Sequence, residues 1–170
     1  HRTIFNGFKN AFIDMGHEFR TFTADDNLAN LLENFRPDIF ITASNHYYRK
    51  YLDYDLLKRF REEGMFVLVK IDFWNSPMSA MRINEARSLK DDKKARDLIS
   101  SGAMGDAFFH VIEQGDQTMD GFAKSTGYEY HTIPLAADKM LLRPDFDNKF
   151  SADISYIGSN LPDKRQFFKD

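Results

Sequence analysis

Four side chains able to move a proton fall at the ends of short apolar runs: His46, Asp72, Glu113 and Asp116. Imidazole and carboxylate groups take protons from hydroxyls, and a general base needs such a group held within hydrogen-bond reach of its target. Each lies in a polar or aromatic stretch. Ser44, Asn45, His46, Tyr47 and Tyr48 follow the run 38–42. Asp72, Phe73, Trp74, Asn75, Ser76 and Pro77 follow 65–71, and Glu113, Gln114, Gly115 and Asp116 follow 107–112. Asp72 leads the group because it directly follows the strongest apolar run. Asn45, Trp74 and Asn75 are the amide and aromatic neighbours expected to touch a substrate. The competing reading of any one of these residues is a solvated loop end or a helix cap, since Asp and Asn are common in turns. His46 reads equally well as a hydrogen-bonded loop histidine. The five histidines are scattered, and no pair has the spacing of a helix-borne zinc site, so no metal centre is expected.

The elements that must position these groups follow from periodicity. Ile4, Phe5, Phe8, Ala11, Phe12 and Met15 recur at three and four residues, which predicts a helix over 3–16 stopped by Gly16. Residues 18–22 alternate weakly and read as a strand. Asp25, Asp26 and Asn27 are candidate caps for a helix carrying Leu28, Leu31, Leu32 and Phe35, ended by Pro37. A strand over 38–42 follows, then a helix over 53–63 closed by Gly64. The run 65–71 is apolar enough for a strand covered on both faces. Residues 78–101 carry mixed charges at short spacing, the pattern of a solvated helix. Strands over 107–112 and 130–133 flank a short helix at 119–125. Strands alternating with helices predict an α/β fold, a Rossmann-like parallel sheet with helices on both faces. In such a sheet, ligands bind beyond the carboxyl ends of the strands, where the three polar loops would share one rim. Opening on a helix is unusual for an α/β unit. A first strand is therefore expected before Thr3, with the true amino terminus upstream of His1.

Composition removes other classes. With 42% hydrophobic residues and 17 Phe among 170 residues, the chain has material for a core and is not a disordered segment. A net charge of -3 leaves no basic excess to neutralise phosphates, so nucleic acid is not expected as a partner. The absence of cysteine excludes a disulfide framework and fits a reducing, cytoplasmic compartment. No apolar run approaches the length of a membrane span.

Near the end of the chain, Ile154, Ser155, Tyr156, Ile157, Gly158 and Ser159 read as a strand running into a glycine turn, with a helix start over 161–168. Amides exposed at such a turn favour a diphosphate, and Lys164 and Arg165 add cations. Spacing alone favours an ordinary strand-to-helix turn, because only one glycine is present. Ile133-Pro134-Leu135-Ala136-Ala137-Asp138, then Leu142-Arg143-Pro144, then Asp153 to Ser159 ahead of Lys164 and Arg165, resembles the domain hand-over of CgeB-type (spore maturation protein) glycosyltransferases. The helix ending at Gly16-His17-Glu18 is similar to the first helix of that family.

The resemblance implies a GT-B enzyme with two Rossmann-like domains and a cleft between them. Residues 1–133 would form the amino-terminal, acceptor-side domain, 134–152 the linker, and 153–170 the beginning of the nucleotide-sugar-binding domain. Gly158 and Ser159 would face the donor diphosphate, with Arg165 as a charge partner. Asp72, His46 and Glu113 would lie on loops facing the cleft, none of them fixed as the base by a motif. Such enzymes use a nucleotide-sugar as co-substrate, need no cofactor and are typically metal-independent. The acceptor would be a glycan, a protein or a small molecule bearing a hydroxyl. Most of the donor domain would lie beyond Asp170, so this stretch alone is expected to be inactive. Two other readings compete. A non-catalytic module recognising a glycan or protein would draw on Tyr47, Tyr48, Phe73 and Trp74, although such aromatics are more often core residues. A flavodoxin-type domain would need an acidic cluster at the first strand end.

Overall fold

The computed structural model describes residues 2–75, 88–134, 136, 138 and 147–150. The chain opens with α1 (Arg2–Asp14). Gly16 ends it at φ +84, where the Gly16 N–H reaches the Ile13 carbonyl and the His17 N–H the Phe12 carbonyl. A left-handed residue there is what lets the last turn close, and glycine adopts it without a Cβ clash. The strand expected over 18–22 does not form. Phe19 packs back on Phe5 and Phe12 of α1, and Phe22 packs on Phe40, so ring contacts hold the segment in place of a ladder.

Asn27 is the residue that caps α2 (Leu28–Phe35), accepting from the Asn30 N–H at 3.0 Å. Asp26 instead accepts from the backbone and hydroxyl of Thr23, closing the turn before the helix. Leu28 and Leu32 face the core, and Arg36 takes a left-handed conformation that ends the helix before Pro37. Then come β1 (Ile39–Ala43), α3 (His46–Arg49), α4 (Tyr54–Glu62) and β2 (Phe66–Lys70). Asp53 caps α4 by accepting from the Asp55 and Leu56 amides. Residues 76–87 lie outside the described residues, so the charged helix expected over 78–101 is represented by a 3-10 turn at Leu89–Asp91 and by α5 (Lys93–Ser100). α5 is not wholly solvated, because Ala95 and Ile99 are fully buried. β3 (Ala107–His110), α6 (Phe122–Thr126) and β4 (Tyr130–Thr132) complete the described domain.

The four strands form one all-parallel sheet in the order β1-β2-β3-β4. Thr42, Val69, Phe108 and Tyr130 stand side by side in register and therefore share a face. Phe122 of α6 meets Phe108 and Tyr130 edge to face on that side. The rule that crossovers between parallel strands are right-handed implies the same face for α4 and α5, since the strands follow one another in sequential order. That face is sealed: Val67, Val69, Ile71, Leu57, Ile99 and Phe108 are all 0% exposed. The other face is covered less completely. Phe109 is buried there, but Ile39 and Phe66, paired at the amino ends of β1 and β2, stay exposed. Of the linker expected over 134–152, only residues 134, 136, 138 and 147–150 are among the described residues, and the turn expected at Gly158 lies outside them. Asp138 is buried and accepts from Asn10 of α1 at 2.8 Å.

Candidate functional site

Beyond the last ladder pairs, backbone bonds continue the sheet and fix its rim. The Ser44 N–H reaches the Lys70 carbonyl at 2.8 Å, and the Ile71 N–H reaches the Phe109 carbonyl at 2.9 Å. The Asp72 N–H then donates to Ser44 Oγ at 2.9 Å. Asp72 is thus held at the carboxyl end of β2 by a serine that is itself 1% exposed. Its carboxyl group is half-buried, and that burial pushes its pKa above the ordinary 3.8. Lys70, the Ser44 hydroxyl, Arg49 and His46 pull it back without cancelling the rise. A carboxylate shifted upward at such a rim is suited to accept a proton from a hydroxyl.

Arg49 sits behind this group, buried and paired with Asp92. The second oxygen of Asp92 accepts from the Ala95 N–H at 3.0 Å, capping α5. One carboxylate therefore joins α3 to the start of α5. Tyr54 stands in the same field: burial pushes its hydroxyl up to about 12, with Arg49 opposing and Asp92 reinforcing the shift. On β3, His110 is 1% exposed and its Nδ1 accepts from the Ile112 N–H at 3.0 Å, which assigns the imidazole proton to Nε2. Burial pushes its pKa down to about 4, helped by Lys70 and opposed by Asp116. Phe73 covers its ring at 4.6 Å.

The other sequence-derived candidates divide. His46 lies exposed on α3 with its ring against Tyr47, and its charge acts on Asp72. Asn45 is buried and accepts from the Tyr47 N–H at 2.9 Å, serving as the cap of α3. Residues 46–49, read from sequence as loop, are helical because of that cap. Trp74 is 4% exposed and stands edge to face with Phe122, so its ring offers no face to a ligand. Asn75 donates to the Gln117 and Asp120 carbonyls at 2.9 Å each, and its N–H reaches Thr118, which pins the loop after β2 to the turn before α6. Glu113 is exposed, and its backbone carbonyl accepts from the Tyr130 hydroxyl. Asp116 accepts from the Thr118 amide and hydroxyl, which hold its carboxyl below the ordinary range. Gly158, Ser159 and Arg165 lie outside the described residues.

Sequence reasoning passed over Lys70, Arg49 and His110. The signals were there in part: Lys70 and His110 each interrupt an apolar strand at its carboxyl end, where a charge or imidazole has to face the rim or find a buried partner. Arg49 gave no local signal, since its partner lies 43 residues away. Among the described residues no group of three or more His, Asp or Glu is arranged to hold a metal ion. No described helix is long and apolar enough to cross a membrane. The fold and the rim together define an α/β domain with a parallel sheet and a polar cluster at the carboxyl ends of its strands. The chain matches no protein-family model, no curated protein and no solved structure. Function therefore rests on the chemistry of that cluster.

Proposed function

We propose that this domain is the acceptor-binding half of a cytoplasmic GT-B glycosyltransferase of the CgeB-like type, transferring a sugar from a nucleotide-sugar to a hydroxyl-bearing acceptor. The observation that carries the proposal is Asp72: a half-buried carboxylate of raised pKa, fixed at the carboxyl end of a parallel strand by Ser44 and faced by Lys70, Arg49 and His46. In this reading the Asp72 carboxylate takes the acceptor hydroxyl proton. The acceptor oxygen forms a bond to the anomeric carbon, and the bond from that carbon to the diphosphate breaks. The electron pair and negative charge leave with the nucleoside diphosphate, which Gly158, Ser159 and Arg165 would receive in the donor domain. His46, exposed beside Asp72, would contact the acceptor.

The test is a transfer assay on the intact protein with a panel of nucleotide-sugars. Asp72→Asn should lower turnover by roughly 10²–10⁴-fold, the span expected for loss of a general base, with donor affinity unchanged. Residues 1–170 alone should show no transfer. Equal activity in Asp72→Asn removes Asp72 from the reaction, and no transfer by the intact wild type from any donor sinks the enzyme reading. The alternative is a non-catalytic module that binds a glycan or protein partner. Exposed Tyr48 favours it, whereas the interior placement of Trp74 takes away part of its support.

A further inference from the structure

We propose that Arg49 is a positioning residue for Asp72: paired with Asp92, it closes a ring of bonds that fixes the rim around the carboxyl group. The proposal rests on the reading of Asp72 as general base and names the group that holds that base in place.

The ring can be followed residue by residue. Its first side is the bond from the Asp72 N–H to Ser44 Oγ. Asn45, next in the chain, caps α3, and the Arg49 N–H reaches the Asn45 carbonyl at 3.0 Å one turn later. The Arg49 guanidinium then crosses to Asp92. The Asp92 N–H reaches the Leu89 carbonyl at 3.1 Å, within the 3-10 turn, and that turn is fastened to the residues directly after Asp72. The Leu89 N–H reaches the Phe73 carbonyl at 2.9 Å, and the Lys90 N–H reaches the Trp74 carbonyl at 3.2 Å. A path that leaves Asp72 through Ser44 thus returns to it through Phe73. Ser44, Asn45, Arg49, Leu89 and Trp74 are all buried.

The pair of Arg49 and Asp92 is the one side of this ring made by two side chains. Buried Arg49 Nε has no hydrogen-bond partner among the described residues, so Asp92 is what anchors the guanidinium. Asp92 is itself fixed, since its other oxygen caps α5 through the Ala95 N–H. Cutting this side frees the last turn of α3 to shift against the 3-10 turn. The same guanidinium opposes the upward shift of the Asp72 carboxyl, so its displacement is felt at the proposed base. A pair that only fastened two helices would leave no such mark, because buried ion pairs can be replaced by uncharged groups with little change in stability.

The experiment uses the intact protein carrying Arg49→Met together with Asp92→Asn. Asparagine keeps the cap on α5, and removing both charges leaves no unpaired ion in the interior. Thermal melting checks that the double variant is folded. Its Asp72 carboxyl, followed by NMR, should titrate at higher pH than in wild type, and the acid limb of the turnover profile should move the same way. Turnover should fall roughly 10²-fold with the KM for donor unchanged, the size expected when a reacting group is displaced by about 1 Å. A folded double variant whose Asp72 titrates as in wild type, or lower, overturns the proposal. A double variant that does not fold overturns it too, because the pair then serves the fold as a whole. The titration needs no turnover, which separates this idea from the enzyme reading. An upward move without transfer by the wild type from any donor sustains the positioning of Asp72 and sinks the transferase. Transfer lost in Asp72→Asn but unchanged in the double variant does the reverse.

Discussion

Ser44 Oγ accepts the backbone N–H of Asp72 at 2.9 Å, tying the end of β1 to the end of β2 across 28 residues of chain. The serine is almost wholly excluded from solvent. Its hydroxyl also opposes the upward shift of the Asp72 carboxyl. One small side chain therefore both places the proposed base and moderates its acidity.

Ser44→Ala should expose both roles. The Asp72 N–H would lose its partner in a half-buried setting, at a cost of about 1–3 kcal/mol in stability. The Asp72 pKa should climb further above its ordinary value, because a hydrogen bond that favours the ionised form is gone. Urea unfolding and an NMR titration of the Asp72 carboxyl would check the two effects. An unchanged titration would show that the serine only ties strands together.

Asp72 should also make stability depend on pH in a defined direction. Below 3.8 the carboxyl is protonated in the folded and unfolded states alike, and it penalises neither. As pH rises through the raised folded value, the unfolded chain ionises first, so the folded state loses relative stability. Asp72→Asn removes that loss. The variant should gain on wild type from acid toward neutral pH in parallel denaturation curves. A difference that shrinks over this range would contradict the raised pKa.

His110 should act in the opposite direction. Its pKa falls from 6.5 to about 4 on folding, so it stays neutral in the folded protein while the unfolded chain takes up a proton. Stability is full above 6.5 and is lost as pH drops toward about 4, by up to about 3 kcal/mol at 1.36 kcal/mol per pKa unit. His110→Gln should flatten the acid limb of a melting-temperature profile. A profile as steep as wild type would assign the acid loss to other groups.

Trp74 offers a separate check on what belongs to the core. The ring is 4% exposed, meets Phe122 edge to face, and its Nε1 lies 3.3 Å from where a Cβ on Gly121 would sit. Trp74→Ala should cost about 3–5 kcal/mol by leaving a cavity. Its consequence should appear in unfolding curves of the intact protein and not as a selective loss of ligand affinity. Near-native stability with weakened binding would return the tryptophan to the ligand side.

What the sequence determined by itself was local. Apolar spacing marked α1, α2, α4 and every strand that forms; Gly16 marked the end of α1; and strand-helix alternation implied the parallel sheet. These features depend on residues a few positions apart, so a linear reading reaches them. The weak alternation at 18–22 misled because a strand needs a partner, and the rings of Phe19 and Phe22 found helix α1 and Phe40 instead. The polar stretch 44–48 was legible as a rim, but not its division of labour. Asn45 turned into a cap, Trp74 into core and Asn75 into a loop tie, while Tyr48 faced outward. The surroundings of Asp72 were beyond the linear reading for the same reason. Ser44 and Arg49 reach it from another strand end and another helix, and Arg49 finds Asp92 only after the chain has crossed the sheet. Burial and charge at the rim are sums over groups distant in sequence, and the tertiary fold is what brings those groups within range of one another.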